Sequence, residues 1–521
     1  MKLLYNEGKK VNTYDQLVSG TDIRAVAMGN NIELTNEVAE KIGQSFAVWL
    51  NHKHVFSTNE SQKVIAIGRD SRLSGEELLH AFANGLTKQG FHVLNFGLCT
   101  TPAMYKCLSG DQPVAHASVM VTASHHPWDR NGFKFFTPDG GINAAELKEI
   151  INFMEMKHEP SMRYEYIENY DYLSFYIQEL KDVVREKLDD DVSRPLLGLH
   201  VLVDAGNGAG GFYAKLLEDL GAWTEGSQFL EPDGHFPNHS PNPEDAEAMK
   251  SISEAVTKHT ADLGIIFDTD CDRAALVDHT GLAINRNRLI ALVSAMLLNE
   301  EPGLTIVTDS VTSSGLSKFI GAWGGEHYRY KRGYRNVIDE AKRLNDIGVN
   351  CPLAIETSGH AALRENQFLD DGMYLSTLLV CESMRLKREG KYISSLLEGL
   401  KEPEESLELR LKIYGEDHRE NGMKVIETIM DYASEAEGWE IAPDNREGVR
   451  IAFDLHQKLD NAWFLMRLSV HDPVLALNVE SDVKGGLQTI LTELLGVIAH
   501  LEGVVDMSPI SNYINNNQTI L

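Results

Sequence analysis

The sequence predicts an α/β protein of several domains that changes to α+β structure near its C-terminus. Its 521 residues suggest three or four domains at roughly 150 residues each, and several domains create clefts. A buried strand followed by a turn and a helix recurs, as at residues 64–89 and 199–211, which is typical of parallel or mixed α/β sheets. After residue 403, two alternating strands precede a helix, which indicates α+β structure.

These patterns divide the chain into four segments. The stretch 402–408 is acidic and resembles a linker, so we place the last boundary there. The predicted bounds are 1–180, 181–284 and 285–402 for three similar α/β domains with mixed or parallel sheets, and 403–521 for the C-terminal α+β domain.

Composition excludes several classes of partner. The 48 Lys and Arg against 77 Asp and Glu give a formal charge of −29, which disfavours nucleic acid and anionic membranes. No apolar run approaches the roughly 20 residues that span a bilayer, and the start of the chain turns polar too soon for a signal peptide. We therefore expect a cytoplasmic protein without a membrane partner. The five cysteines, without C-x-x-C spacing, favour neither disulfides nor zinc, and no pattern indicates an oligomeric state.

The stretch Val121–Phe136 is a candidate nucleophilic site. The apolar run Ala117–Val121 predicts a buried strand, so Ser124 lies at the end of that strand, followed by His125. Lys134 comes ten residues after the serine, and a hydroxyl on a rigid support with positive groups nearby suits nucleophilic chemistry. Taken alone, the stretch also fits a polar turn between strands.

A second loop predicts a metal site. Asp268, Asp270 and Asp272 alternate along a segment between two apolar strands, and Arg273 follows them. Three carboxylates this close repel one another unless a cation lies between them, and all-oxygen ligands favour Mg²⁺ over zinc. An EF-hand is excluded because its glutamate at position twelve is missing, and a haloacid-dehalogenase nucleophile belongs on the first strand of its domain.

Three further stretches place charged or hydroxyl side chains beside a turn or a strand end. Arg24 follows a flexible turn and fits a phosphate contact, although these six residues taken alone favour a surface salt bridge. Glu356 and Ser358 follow a strand and can bind neighbouring sugar hydroxyls, and Arg467 and Ser469 end another strand.

Four of these motifs resemble those of the α-D-phosphohexomutases, the family of phosphoglucomutase, phosphomannomutase and phosphoglucosamine mutase. In chain order they are T-A-S-H-H-P with N-G-F-K, D-T-D-C-D-R, E-T-S-G-H and R-L-S. The chain departs from the family at Thr269, which replaces a glycine, and at His471 and Asp472, which replace threonine and glutamate. His126 replaces an asparagine, and we interpret it as donating the same hydrogen bond.

The resemblance implies four domains around a central cleft and an enzyme that interconverts hexose 1-phosphate and hexose 6-phosphate. It implies that Ser124 is a phosphoserine, that its phosphate and the three aspartates bind one Mg²⁺, and that a hexose 1,6-bisphosphate is the activating intermediate. Further residues carry over by motif. They are Lys134, Arg24 and Arg273 for charge neutralisation, Lys134 or His360 for proton transfer, and Glu356, Ser358, Gly333, Arg467 and Ser469 for substrate binding.

The E-T-S-G-H spelling is closer to the phosphomannomutase/phosphoglucomutase and phosphoglucosamine mutase branches than to dedicated phosphoglucomutases. We therefore expect phosphomannomutase/phosphoglucomutase activity first and phosphoglucosamine mutase activity second. A Mg²⁺-dependent sugar phosphatase and a non-catalytic sugar-phosphate-binding protein are the remaining alternatives.

Overall fold

The computed structural model describes residues 13–53, 55, 63–110, 113–160, 166–188, 193–455, 461–469 and 472–517. The chain divides into two compact units. The first runs through Ala283 and also includes Asp371–Arg388, and the second comprises Ile284–Asp370 and the chain from Glu389 onwards. Among the described residues, no helix is both long and apolar enough to cross a membrane.

The first sheet of the first unit is mixed and carries the Ser124 loop. Its strands are β1 (Val18–Ser19), β2 (Asp22–Val26), β3 (Val64–Arg69), β4 (His92–Leu98), β5 (Ala117–Val121), β6 (Arg130–Thr137), β7 (Gly140–Gly141) and β8 (Ile167–Asn169). Their order is β1-β2-β6-β5-β3-β4-β8, with β7 beside β6. Strands β5, β3, β4 and β8 are parallel, and β2 and β6 are antiparallel to their neighbours.

Five helices accompany this sheet: α1 (Asn36–His52), α2 (Gly75–Lys88), α3 (Thr101–Lys106), α4 (Ala144–Met154) and α5 (Leu173–Leu188). Helices α1 and α2 approach closely because glycines lie at their contact. A Cβ on Gly43 would lie 2.2 Å from the carbonyl oxygen of Phe82, and one on Gly85 would lie 2.1 Å from that of Glu40. Since β3, β4 and β5 are parallel, the loops after their C-terminal ends share one edge of the sheet.

The second sheet of the first unit carries the aspartate loop. It contains β9 (Val201–Asp204), β10 (Leu263–Phe267), β11 (Ala274–Asp278) and β12 (Ala283–Ile284), with helices α6 (Phe212–Asp219) and α7 (Ala246–His259). The strand order is β12-β11-β10-β9, and β10 pairs parallel with β9 and antiparallel with β11. The loop from 268 to 273 therefore connects two buried strands, as predicted.

The third sheet belongs to the second unit. Its strands are β13 (Thr305–Thr308), β14 (Glu326–Arg329), β15 (Leu353–Ile355), β16 (Ala361–Leu363) and β17 (Leu369–Asp370), and the helices in this part of the chain are α8 (Arg286–Glu300), α9 (Ser314–Ala322), α10 (Tyr334–Asp346) and α11 (Gly372–Arg388). The order is β14-β13-β15-β16-β17, parallel for the first three strands. Helix α11 groups with the first unit, where it contacts α5.

The C-terminal sheet is fully antiparallel, in the order β18-β22-β21-β20-β19. Its elements are β18 (Glu405–Lys412), α12 (His418–Glu435), β19 (Glu440–Ile441), β20 (Val449–Phe453), β21 (Ala462–Leu468), β22 (Val474–Ser481), α13 (Gly486–Ile498) and α14 (Ser508–Asn517). Three α/β sheets followed by this domain confirm the predicted fold class. The linker predicted at 402–408 is wrong from residue 405, because that part forms β18 at the edge of the sheet.

Candidate functional site

Ser124 lies three residues beyond β5 in an unusual backbone conformation. Its φ angle of 51° is in the left-handed region, which non-glycine residues seldom occupy. The side chain is buried, and its Oγ donates to Oδ2 of Asp268 at 2.9 Å. The same Oγ accepts from Nη2 of Arg273 at 3.1 Å and lies 3.4 Å from Nδ1 of His125. A hydroxyl is thus fixed between a carboxylate and a guanidinium.

The three predicted aspartates come together in the loop between β10 and β11. One carboxylate oxygen from each of Asp268, Asp270 and Asp272 lies within 4.8 Å of the others, and all three residues are buried. Burial raises the pKa of Asp268 to about 7, and the neighbouring Arg273 opposes this shift. The loop therefore concentrates negative charge where water cannot screen it.

Two buried cations compensate this charge. Nζ of Lys134, from β6, lies 2.7 Å from Oδ2 of Asp270 and also contacts Asp272. Burial lowers the pKa of Lys134, but Asp270 and Asp272 outweigh it and raise the pKa well above its ordinary value. Arg273 donates through Nε to Asp268 at 2.9 Å. Lys134 is therefore an ammonium group in this arrangement.

The aspartate cluster fits a divalent cation bound by oxygen. Thr101 donates to Oδ2 of Asp270 at 2.5 Å, whereas the buried Oδ1 of Asp270 has no hydrogen-bond partner among the described residues. A buried carboxylate oxygen without a partner is costly, and a hard cation on the three carboxylates satisfies it. The donor set is consistent with a metal site.

Arg24 occupies β2, the strand that pairs with β6. Its Nη2 forms a salt bridge of 2.8 Å with Asp22, so the salt-bridge interpretation left open by the sequence holds for this contact. That pair is largely buried, and the positive charge of Arg24 acts on the pKa of Lys134. Arg24 thus belongs to the charged surroundings of Lys134.

The ring of His126 lies 5.1 Å from that of His125, and its expected hydrogen bond stays a prediction.

In the second unit, Glu356 follows β15 and is buried. One of its carboxylate oxygens accepts a 2.6 Å hydrogen bond from the amide of Gly333, whose φ of 116° favours glycine. Burial, followed by the charge of Asp309, raises the pKa of Glu356 to about 7. Gly333 and Glu356, which are 23 residues apart in the sequence, are therefore in direct contact.

Three further residues of this loop, Thr357, Ser358 and His360, have different environments. Thr357 donates to Asp309 at 2.7 Å, so its hydroxyl is engaged within the protein. The buried Oγ of Ser358 has no hydrogen-bond partner in the described part of the chain, which leaves it able to bind a ligand. His360 contacts Asp370 through Nδ1 at 2.6 Å, and its ring stacks on Tyr334 at 5.3 Å.

Arg467 lies near the end of β21, and Ser469 follows that strand. Arg467 is buried, with its Nε 3.9 Å from Glu447, and Ser469 accepts from the amide of Asp472 at 3.3 Å. Glu447 also accepts from Ser310 at 2.6 Å and from the amide of Arg332 at 3.2 Å. Of the divergent loop 470–472, residues Val470 and His471 lie outside the described residues.

Several site residues were missed from the sequence. Thr101, Asp309 and Glu447 each contact a predicted site residue or its neighbour, but none lies in a motif that we assigned to the chemistry. Thr101 and Asp309 each follow a strand, and this is the only signal that pointed to them. Glu447 carries no such signal, because it precedes β20.

Family models match most of the chain. The family model described as "Phosphoglucomutase/phosphomannomutase, alpha/beta/alpha domain I" matches residues 15–160. The corresponding models for domain II and domain III match residues 174–281 and 285–403. These three matches follow the order of the α/β sheets described above.

Individual relatives agree with these matches. The phosphomannomutase/phosphoglucomutase of Pseudomonas aeruginosa is 30% identical, over 90% of this chain and 93% of that protein. The phosphoglucomutase of Neisseria gonorrhoeae is 29% identical, over 89% and 93%. A crystal structure of a phosphoglucomutase/phosphomannomutase family protein from Burkholderia thailandensis has a TM-score of 0.76 at 26% identity, covering 94% of this chain and 98% of that one.

We expect Asp270→Asn to lower the affinity for Mg²⁺ or Mn²⁺ by at least about tenfold, because even residues that support metal ligands contribute 10–100-fold. Calorimetric titration of the metal into the protein measures the effect. Asp278→Asn is the matched control, since Asp278 is equally buried in the same domain but accepts hydrogen bonds from Thr280 and Leu282. Equal losses in both variants would contradict the assignment.

Proposed function

We propose a mechanism for this chain, which belongs to the phosphoglucomutase/phosphomannomutase family of α-D-phosphohexomutases. It is an isomerase that acts as an intramolecular phosphotransferase on hexose phosphates. The observation that carries the mechanism is the buried Ser124 hydroxyl, hydrogen bonded to Asp268 and Arg273 beside two further carboxylates. Such a hydroxyl suits reversible phosphorylation because its position and charge environment are set before the substrate binds.

In the proposed cycle, Ser124 carries a phosphoryl group and transfers it to a hydroxyl of the bound hexose phosphate. The bond between Ser124 Oγ and phosphorus breaks, and a bond from the sugar oxygen to phosphorus forms. The product is a hexose 1,6-bisphosphate, which returns its other phosphoryl group to Ser124. Phosphoryl transfer depends mainly on positioning and charge neutralisation, which the buried charged loops supply.

Asp268, Asp270 and Asp272, together with the phosphoryl group on Ser124, would hold one Mg²⁺. When bound, this ion withdraws negative charge from the phosphoryl oxygens. Arg273 already donates to Ser124 Oγ at 3.1 Å, so it is placed to neutralise the transferred group.

Lys134 and Arg24 complete the proposed neutralisation of charge. Their side chains lie on β6 and β2, which pair with each other. Because Asp270 and Asp272 raise the pKa of Lys134, we assign it the role of a cation rather than a base. His360 is then the candidate proton acceptor, with Asp370 orienting its ring through Nδ1, as a carboxylate does in catalytic triads.

The second unit is proposed to bind the sugar and its non-reacting phosphate. Glu356 and the Oγ of Ser358 bind sugar hydroxyls, and the tight turn at Gly333 holds Glu356 in place through its amide. Arg467 and Ser469 bind the phosphate that is not transferred, which is at either end of the sugar in the two halves of the cycle. A guanidinium suits this task because it forms paired hydrogen bonds with phosphate oxygens.

We also propose the domain bounds 1–180, 181–284, 285–402 and 403–521. The three family matches, at 15–160, 174–281 and 285–403, support them, and the second match begins seven residues before the proposed boundary at 181.

Ser124→Ala is expected to abolish isomerisation of glucose 1-phosphate, because no oxygen remains to carry the phosphoryl group. A coupled assay that detects glucose 6-phosphate measures the loss, and intact mass spectrometry measures phosphate on the protein. Ser118→Ala is the matched control, since Ser118 is buried on β5 and its Oγ donates to the carbonyl of Met104. Full turnover by Ser124→Ala would refute the mutase mechanism. Release of inorganic phosphate by the wild-type protein, in place of isomerised product, would also refute it.

Substrate preference is tested by comparing kcat/KM for glucose, mannose and glucosamine 1-phosphates. We expect glucose and mannose 1-phosphates to be used at similar efficiency and above glucosamine 1-phosphate. The reason is that Thr357, which lies between the two sugar-binding side chains, donates its hydroxyl to Asp309 and offers no charged group to an amine. A preference for glucosamine 1-phosphate would instead support phosphoglucosamine mutase activity.

The pKa of Glu356, raised to about 7, predicts a pH-dependent KM. Below its pKa the side chain is protonated and accepts sugar hydroxyls poorly, so KM should fall as pH rises through 7. The expected change is about tenfold, since a hydrogen bond to a charged group contributes about 1.5–3 kcal/mol. Glu356→Gln should have a high KM without this dependence. Titration of the substrate phosphate affects both proteins alike, so identical pH profiles would contradict the prediction.

A further inference from the structure

The guanidinium of the buried residue Arg72 forms four hydrogen bonds to one short segment of the chain. Arg72 follows β3, and its side chain donates to backbone carbonyls of the loop after β5 and of the first residue of β6. The acceptors are Pro127 at 2.7 Å and Arg130 at 2.8 Å through Nη1, and Ser124 and His126 through Nη2. A planar fork of donors can hold several carbonyls at once, which a single ammonium group cannot do.

Asp70 links this arginine to the amide of Ser124. Its buried carboxylate accepts from the amide of Arg72 at 2.9 Å, pairs with the Nε of Arg72 at 3.3 Å, and accepts from Thr122 Oγ1 at 2.6 Å. Because the Thr122 hydroxyl donates its one proton to Asp70, its oxygen can accept a hydrogen bond from another donor. That donor is the amide of Ser124, at 2.8 Å.

Both polar backbone groups of Ser124 are therefore held by the same network. Thr122 fixes its N–H, and Arg72 fixes its carbonyl. Ser124 has a φ of 51°, and a non-glycine residue keeps such a conformation only where its surroundings enforce it. Neither Asp70 nor Thr122 hydrogen bonds to the Ser124 hydroxyl itself, so the network acts on the backbone.

The segment between helices α6 and α7 covers Arg72. The ring of Phe236 lies 5.2 Å from the guanidinium. Gly234 approaches so closely that a Cβ there would lie 2.5 Å from the amide nitrogen of Leu73 and 2.6 Å from the carbonyl oxygen of Ser71. This cover excludes water, which strengthens the hydrogen bonds beneath it.

We propose that Asp70, Arg72 and Thr122 are positioning residues that hold Ser124 in its left-handed conformation and thereby aim its Oγ at Asp268 and Arg273. The inference rests on the proposed role of Ser124 in phosphoryl transfer. Phosphoryl transfer requires the reacting oxygen in one place, and a displacement of about 1 Å can lower the rate about 100-fold. The network thus contributes to kcat without touching the substrate.

Thr122→Val tests this role because it removes the hydroxyl and keeps the shape of the side chain. We expect kcat for glucose 1-phosphate to fall about 10- to 100-fold with KM changed less than about twofold, since positioning of the nucleophile is lost while sugar binding is retained. Thr122→Ser restores the hydroxyl and should recover most of kcat. Arg72→Lys keeps the charge but not the fork of donors, and should lower kcat in the same way.

Thr87→Val is the matched control. Thr87 is buried on α2, and its hydroxyl donates to the carbonyl of Asn84 at 3.0 Å, so the variant loses a comparable hydrogen bond far from Ser124 in the sequence. We expect unchanged kcat for this variant. A wild-type kcat in Thr122→Val, or an equal loss in Thr87→Val, would overturn the proposal.

Amide hydrogen exchange separates this proposal from the proposed function. Exchange in the peptide spanning 122–130 should accelerate in Thr122→Val and not in Thr87→Val, and this readout needs no catalysis. If the wild-type protein carried no phosphate on Ser124 and no mutase activity, the proposed function would fail, and exchange would still decide the positioning role. Unchanged exchange in Thr122→Val would overturn it.

Discussion

The crowding of three buried carboxylates is the constraint on which the first unit depends. Asp268, Asp270 and Asp272 place oxygens within 4.8 Å of one another, and buried like charges destabilise a fold unless cations accompany them. Lys134 and Arg273 meet this requirement, which accounts for their own burial. Arg273 also donates to Ser124 Oγ at 3.1 Å, and the two cations that stabilise the aspartate cluster are those to which the proposed mechanism assigns neutralisation of the transferred phosphoryl group.

In the mechanism proposed above, the second unit binds an anion, although the chain has a formal charge of −29. Acidic side chains there keep the arginines in place. Asp309 lies 4.0 Å from Arg332, and Glu447 lies 3.9 Å from Arg467. Burial lowers the pKa of Arg467, and Glu447 opposes that shift. Under the proposed mechanism, a pair of this kind stabilises Arg467, the arginine that we assign to phosphate binding.

The parts of the site that were predicted from the sequence are contiguous stretches after buried strands. The Ser124 loop, the aspartate loop and the sequence around Glu356 each combine an apolar run with polar residues over a few positions. The network around Asp70 was not predicted, because Asp70 and Thr122 are 52 residues apart and meet only through the pairing of β3 with β5. Pairing also explains why 402–408 was wrongly predicted to be a linker. The alternating leucines there belong to a strand that forms by pairing with the distant strand β22.

The Ser124 loop and the aspartate loop each contain a residue with a strained backbone, and long-range contacts are needed to hold it. Ser124 and Cys271, in facing loops of the first unit, both have left-handed backbones, with φ of 51° and 66°. Neither residue is a glycine, so neither loop would keep this conformation as an isolated peptide. The motif supplies the hydroxyl and the carboxylates, but their mutual geometry is imposed by residues on other strands. The chemistry that we propose at Ser124 therefore depends on sheet register as directly as on the motif that contains it.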